Sequence, residues 1–396
     1  METIRKIYRI GNGPSSSHTM APRKAALQFK EKHKGINNYR VTLYGSLAAT
    51  GKGHFTDKAI IEALTPAKVE IIWKPEVFLT FHNNAMMFEA LSDSGEVKDQ
   101  WTIYSVGGGQ LANETTHLTQ ENIYELSFIT DILNYIEAKG MTYWEYVKQY
   151  EDDDIWDYLN EVWKVMQEAI ERGVQNEGVI PGGLFLRRKA ASYFVKASSY
   201  KASLQGRCLV IAYALATAEE NAAGGKIVTA PTCGSSGVLP AVLYHLRKNH
   251  NFTDKNILRA LASAALFGNV VKKNASISGA EVGCQGEIGT ACSMAAVAAN
   301  QLFGGSPQQI EYAAEMAMEN HLGLTCDPIY GLVQIPCIER TAFAALRALD
   351  ANLFAMMSDG KHIVSFDKVV KTMKLTGKDI PSLYKETALG GLALLR

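Results

Sequence analysis

Three cysteines stand out by what surrounds the sulfur. Cys284 lies in Ser278-Gly-Ala-Glu-Val-Gly-Cys-Gln-Gly-Glu287, Cys326 in Asn320-His-Leu-Gly-Leu-Thr-Cys-Asp-Pro328, and Cys337 in Val333-Gln-Ile-Pro-Cys-Ile-Glu-Arg340. Gly or Pro and a charged or amide side chain flank each one, as at helix ends, where free backbone N–H groups stabilise a thiolate. The gaps of 42 and 11 residues between them are too wide for a local zinc knuckle. They suit three thiolates converging from separate loops, which would leave a bound metal one open position for substrate. The plain alternative is three unrelated buried thiols. Cys233 sits in Ala230-Pro-Thr-Cys-Gly-Ser-Ser-Gly237, while Cys208 and Cys292 lie among Ala, Val, Ile and Met at helical spacing and read as small buried hydrophobes.

A second group is rich in hydroxyls and imidazoles. Gly13-Pro-Ser-Ser-Ser-His-Thr19 leads into a helix near Pro22. Backbone N–H groups and hydroxyls at a helix start make a cradle for carboxylate or phosphate; an elaborate helix cap would look the same. Gly51-Lys-Gly-His-Phe-Thr-Asp57 and Phe81-His-Asn-Asn84 add two more histidines at strand–loop junctions. Each of His18, His54 and His82 alone reads as a structural histidine. Together, beside hydroxyls and amides, they suggest one polar site.

These residues need elements to carry them. β-Branched and aromatic runs predict strands at Tyr39–Leu47, Lys68–Trp73, Glu76–His82, Ala85–Ala90 and Gln100–Val106, and helical periodicity appears at Pro22–Lys34 and Thr56–Leu64. Asn122 to Gly173 is acidic and aromatic with helical spacing. Its run Glu151-Asp-Asp-Asp154 reads as a helix start or a solvated linker, not a metal site. Beyond Leu184 the chain is rich in Ala, Leu and Met, with helix-length segments at Ser203–Asn221, Ser236–Lys248, Lys255–Phe267, Thr290–Phe303 and Pro307–Glu319. The expected fold class is α+β: an α/β domain over 1–115, a helical bridge over 116–180 and an all-α domain over 181–396.

Composition sets the outer limits. With 396 residues, 40 Lys+Arg against 40 Asp+Glu, 47% hydrophobic and 20% charged, the chain is an ordinary globular one of two or three domains. Zero net charge argues against nucleic acid or a membrane surface as partner. No apolar run approaches a membrane span, and the first residues lack a signal-peptide core, so a cytoplasmic protein with reduced thiols is expected. Gly45 to Gly53 imitates a phosphate loop but has five residues between its first two glycines and Gly after the Lys. No CxxC, HExxH or GxSxG occurs.

Taken together, GPSSSHT at 13–19, GSLAATGKGH at 45–54, FHNN at 81–84, APTCGSSGVLPAVL at 230–243, SGAEVGCQGEIGTACSMAA at 278–296, HLGLTCDPIYGLVQIPCIER at 321–340 and YKETALGGLA at 384–393 resemble the iron–sulfur L-serine dehydratases, over nearly the whole chain. The resemblance implies a β-type N-terminal domain fused to an all-α cluster-binding domain. It implies a 4Fe-4S cluster on Cys284, Cys326 and Cys337, with L-serine as substrate and no pyridoxal phosphate. The open iron would act as Lewis acid on the serine hydroxyl, with His54 as base and His18 and His82 as alternates. Ser15, Ser16, Ser17, Thr19 and Asn84 would orient carboxylate and amine, and Lys273 would neutralise carboxylate charge. Two departures stand out: the sequence ends at Leu392-Ala-Leu-Leu-Arg396 without the terminal Cys of many single-chain members, and it has no room for a separate regulatory domain. Other readings are an iron–sulfur lyase acting on L-cysteine, a pyridoxal-phosphate dehydratase with Thr232 to Gly237 as phosphate loop, and a non-catalytic amino-acid-binding protein with a structural metal. The Ala-rich helices fit a homodimer.

Overall fold

The computed structural model describes residues 1–114, 122–387 and 390–394. The expected boundary at 115/116, Ala388 and Leu389 of the C-terminal motif, and the last two residues lie outside these. Two short strands come from opposite ends of the fold: β1 (Ile10–Asn12) pairs antiparallel with β7 (Lys226–Val228), Ile10 facing Val228. The other five are β2 (Asn38–Tyr44), β3 (Lys68–Lys74), β4 (Ala85–Leu91), β5 (Val97–Ser105) and β6 (Leu111–Ala112), in the order β3-β2-β4-β5-β6. Only β2 and β3 run parallel, joined across the helix Thr56–Leu64. That helix and Ala21–Lys32 cover one face of the sheet. Ala25, Ala26 and Phe29 bury against Val41, Leu43, Phe88 and Ile103.

One strand expectation fails, for a topological reason, and another strand ends early. β3 and β4 flank β2 on opposite sides, so the chain between them must cross the end of the sheet. Residues 76–82 therefore make an irregular crossing, not a strand, and Phe78 is 60% exposed. The strand expected over 39–47 stops at Tyr44. Gly45, with φ of 50°, turns the chain into the helix Gly45–Thr50, and a Cβ there would lie 2.5 Å from the Asn83 carbonyl of the crossing loop.

The rest is helical. The helices expected from periodicity appear as Ala202–Ala222, Val238–Asn249, Asp254–Asn274, Thr290–Leu302 and Pro307–Glu319. Every residue from Thr290 to Asn300 is buried, so this helix is packed on all sides and forms the axis of the helical body. The Glu151–Asp154 run precedes the helix Ile155–Gly173; Glu151 accepts bonds from Ile4 N, Thr3 Oγ1 and Tyr124 OH, and Asp154 pairs with Arg5. Met1, Ile4, Ile7 and Tyr8 bury in the helical core rather than against the sheet. With the β1–β7 pair, they fasten the start of the chain to the helical body three residues before the serine loop. No helix among the described residues is long and apolar enough to cross a membrane.

Candidate active site

The serine loop forms one wall of a cleft. Ser15 caps a widened helical turn, Ser16–Met20, in which the Ser15 carbonyl accepts from both Thr19 N and Met20 N. The loop is fastened to the helical body, because Asn221 Nδ2 donates to the Pro14 carbonyl and Gly13 N to the Gly225 carbonyl. Ser15 Oγ accepts from His18 N, Ser17 Oγ lies 2.8 Å from His18 Nδ1, and Ser46 Oγ lies 3.2 Å from His18 Nε2. Both ring nitrogens of His18 are thus engaged. Thr19 Oγ1 donates to the His54 carbonyl at 2.7 Å. Ser16 lines the cleft, and its hydroxyl bonds to none of the described residues.

His54 differs from the other two histidines. Its ring lies 4.7 Å from that of His18, centroid to centroid, and it lines the cleft. Thr50 Oγ1 gives its one proton to the Ser46 carbonyl at 3.0 Å and lies 3.2 Å from His54 Nδ1. Thr50 must then accept from Nδ1–H, which assigns the free lone pair of His54 to Nε2. His82 Nδ1 accepts from Asn84 N, and neither His82 nor Asn84 lines the cleft.

The helical body builds the opposite wall. Cys284 stands before a second widened turn, Gln285–Gly289. Gly283 precedes it with φ of 75°, where a Cβ would lie 2.7 Å from the Leu324 carbonyl. Cys337 begins the helix Cys337–Met356. Cys326 bridges to the C-terminal segment: its N–H donates to the Tyr384 carbonyl and its carbonyl accepts from Thr387 N. This sets Glu386 into the cleft, with φ of 46°, and its Oε1 lies 3.9 Å from His18 Nδ1. All three thiols line the cleft. Glu287 Oε2 lies 4.0 Å from Cys284 Sγ and 3.9 Å from Cys326 Sγ, so these three groups form a set able to hold a metal ion. A Cβ on Gly279 would crowd Cys326 Sγ at 3.0 Å and Glu287 Oε2 at 2.8 Å, so the backbone is thinned where the thiol and carboxylate meet.

Burial acts on His18, His54, Glu287, Glu386, Cys326 and Cys337 in the direction of the neutral form. It lowers His54 to about 4. His18 falls well below the usual histidine value through burial and then the neighbouring His54. Burial raises Glu287, and raises Glu386 to about 8 with Glu287 adding to the effect. Cys326 is pushed up first by its hydrogen bond with Cys284, then by burial; Cys337 is pushed up by burial and then by Cys284.

The cleft thus brings together Ser15, Ser16, Ser17, His54, Cys284, Cys326 and Cys337 of the expected residues. Thr19, His18, His82 and Asn84 stand behind the serine wall. Lys273 lies elsewhere: it is absent from the lining, and its charge opposes the N-terminal ammonium of Met1. The reason is that Asp254–Asn274 runs seven residues past its expected end. Sequence reasoning gave no role to Glu287, Glu386 or Gly107–Gly108, and considered Thr232 only as part of a phosphate loop; all of them line the cleft. The motifs GCQGE and YKETALGGLA held the signal for the two carboxyls.

Comparison with known proteins identifies the family. The family model for the serine dehydratase alpha chain matches residues 58–393, and that for the beta chain matches residues 3–70. An L-serine dehydratase of Streptomyces coelicolor is 40% identical over 448 aligned positions, covering 99% of this chain and 98% of that protein. L-serine dehydratase 2 of Escherichia coli is 39% identical, covering 100% and 99%, and the L-serine dehydratase of Helicobacter pylori is 38% identical, covering 99% and 98%. This chain belongs to the serine dehydratase family, with the matches to its alpha and beta chains carried on one polypeptide.

Proposed function

We propose that the protein is an L-serine ammonia-lyase that removes water from L-serine and yields pyruvate and ammonia. The carrying observation is the joining, in one buried cleft, of a hydroxyl–imidazole wall and a wall of three thiols. Cys284, Cys326 and Cys337 fit a 4Fe-4S cluster: they come from three separate segments, they are the soft ligands such a cluster takes, and the Gly279 backbone leaves room beside them. When bound, the cluster supplies a Lewis acid that makes hydroxide a feasible leaving group. The protein's own residues do the rest. Ser16, with its unengaged hydroxyl, and Ser15 and Ser17 hold the substrate carboxylate. His54 Nε2 accepts the α-proton, while Thr50 keeps the ring in the tautomer that can do so. Loss of the α-proton and hydroxide gives aminoacrylate, which tautomerises to the imine and hydrolyses. In this reading residues 1–115 contribute the serine wall and residues 181–396 the thiol wall.

The reach of Glu287 to two of the thiols favours one other reading, a closed four-ligand structural metal in a protein that binds amino acids without turnover. One experiment separates them. The protein is purified anaerobically, iron and acid-labile sulfide are measured, and pyruvate from L-serine and sulfide from L-cysteine are followed in the same sample. About four iron and four sulfide per chain, with pyruvate formation lost in air, supports the lyase. Turnover without iron overturns the thiolate assignment, and iron without turnover overturns the lyase.

A further inference from the structure

A second cavity of about 660 Å³ opens on the other side of the serine loop, between the first twelve residues, the helix Ala21–Lys32 and the turn at Gly109–Leu111. It falls in the size range of small-molecule sites. Its charge is one-sided. Lys6, Arg9, Arg23 and Lys24 line it, and among the described residues none of their charged groups makes an ion pair or hydrogen bond. Arg5 also lines it but is paired with Asp154. The one lining carboxylate, Glu2, is already taken by Lys272 at 2.7 Å and by Gln110.

The two half-buried arginines of this set are the telling ones. Arg23 Nε is shut off from solvent with no partner. Arg9 is held by its backbone, which exchanges hydrogen bonds with Thr229, and its Nη1 lies 2.8 Å from where a Cβ of Gly109 would stand. A guanidinium N–H shut off from water without a partner is costly, and a structure retains one where an acceptor meets it. Burial, then Arg9 and Lys6, push the Lys24 ammonium below the usual lysine value. Glu2 offsets Lys6 and Arg9 only in part, so the cavity keeps an excess of positive charge.

We propose that this cavity binds a compact, multiply charged anion of the phosphate class, either inorganic phosphate or the phosphate group of a small metabolite. Guanidinium forks and ammonium point charges are the groups that recognise phosphate. The zero net charge of the chain, with its unpaired cations gathered in a cavity, favours a small ligand over a nucleic acid. The ligand would lie close to the serine loop, because the same Gly109 Cβ position that meets Arg9 is 3.5 Å from the Ser16 carbonyl.

The test is titration calorimetry on the full chain, purified anaerobically, with inorganic phosphate and with glycerol 3-phosphate as probes. Potassium chloride at matched ionic strength serves as the control. Saturable binding is expected, weakened about tenfold in Arg9→Gln, the loss of one charge-assisted contact. Lys24→Gln, at the cavity mouth, should weaken it about two- to fivefold and does not disturb the core. Tighter binding of glycerol 3-phosphate points to a phosphorylated metabolite, and tighter binding of phosphate to the free ion. No saturable heat with either probe overturns the proposal. So does equal binding by wild type and Lys24→Gln, which would put the anion elsewhere.

Discussion

The two walls of the cleft meet the same burial and solve it differently. On the serine side the groups are bases and hydroxyls, and they satisfy one another: His18 between Ser17 and Ser46, Thr19 on the His54 carbonyl, and Thr50 on His54. On the thiol side the groups are acids facing acids. Cys284, Cys326, Cys337, Glu287 and Glu386 line one cavity, and Arg340 is the cation that eases Glu287 and Cys337. Burial lowers His18 and His54 and raises Glu287, Glu386, Cys326 and Cys337, so one physical cause acts on both walls in the direction of the neutral form. On the serine wall the imidazoles of His18 and His54 are held by hydroxyls, and the Ser16 hydroxyl is left open to the cleft. The thiol wall gains from a positive partner, which thiolates obtain from a metal.

The comparison breaks hardest at Cys326. Cys326→Ala removes one of three thiols and should abolish iron retention and the visible absorbance of a cluster, with turnover at background. Retained stoichiometric iron in this variant would detach Cys326 from the metal. His54→Ala attacks the other wall and should lower kcat about 10²- to 10⁴-fold, the range for a general base, with iron content unchanged. Loss of iron together with activity would place His54 in the metal site instead.

Acid sharpens the contrast without removing a group. His54 is neutral in the fold down to about pH 4 but takes a proton in the unfolded chain below the ordinary histidine value of 6.5. The unfolded state then binds more protons, so stability falls as pH drops through 6.5 and the loss is complete near 4. Over that window wild type should lose about 3 kcal/mol more than His54→Gln in urea unfolding. Parallel curves for the two would contradict the buried neutral imidazole. The smallest effect belongs to Ser16→Ala, one unengaged hydroxyl. It should raise KM for L-serine about tenfold with kcat little changed, and an unchanged KM would remove Ser16 from the substrate.

The turn at Ser15–Thr19 and the placing of the three Cys motifs near helix starts and loops were legible because each is a contiguous string whose composition reports its local geometry. The helices of the Ala-rich half were legible from their apolar spacing, and Pro307–Glu319 appears with the bounds read from sequence. The crossing loop at 76–82 was not, because its residues favour strand and only the position of β3 relative to β4 denies it a partner. Lys273 was misplaced because periodicity marks a helix but not which neighbours its last turn will meet.

The amino-acid sequence by itself determined most of the elements, the helix Thr290–Leu302 among them, and the kinds of chemistry available, since these rest on interactions between near neighbours along the chain. The tertiary structure alone decided which histidine faces the cleft, that Glu386 arrives beside Cys326 and His18, and that unpaired cations gather around a second cavity. Those outcomes depend on contacts between residues far apart in sequence, such as Gly13 with Gly225 and Cys326 with Tyr384. Their geometry is set by the packing of whole elements rather than by any local run of residues.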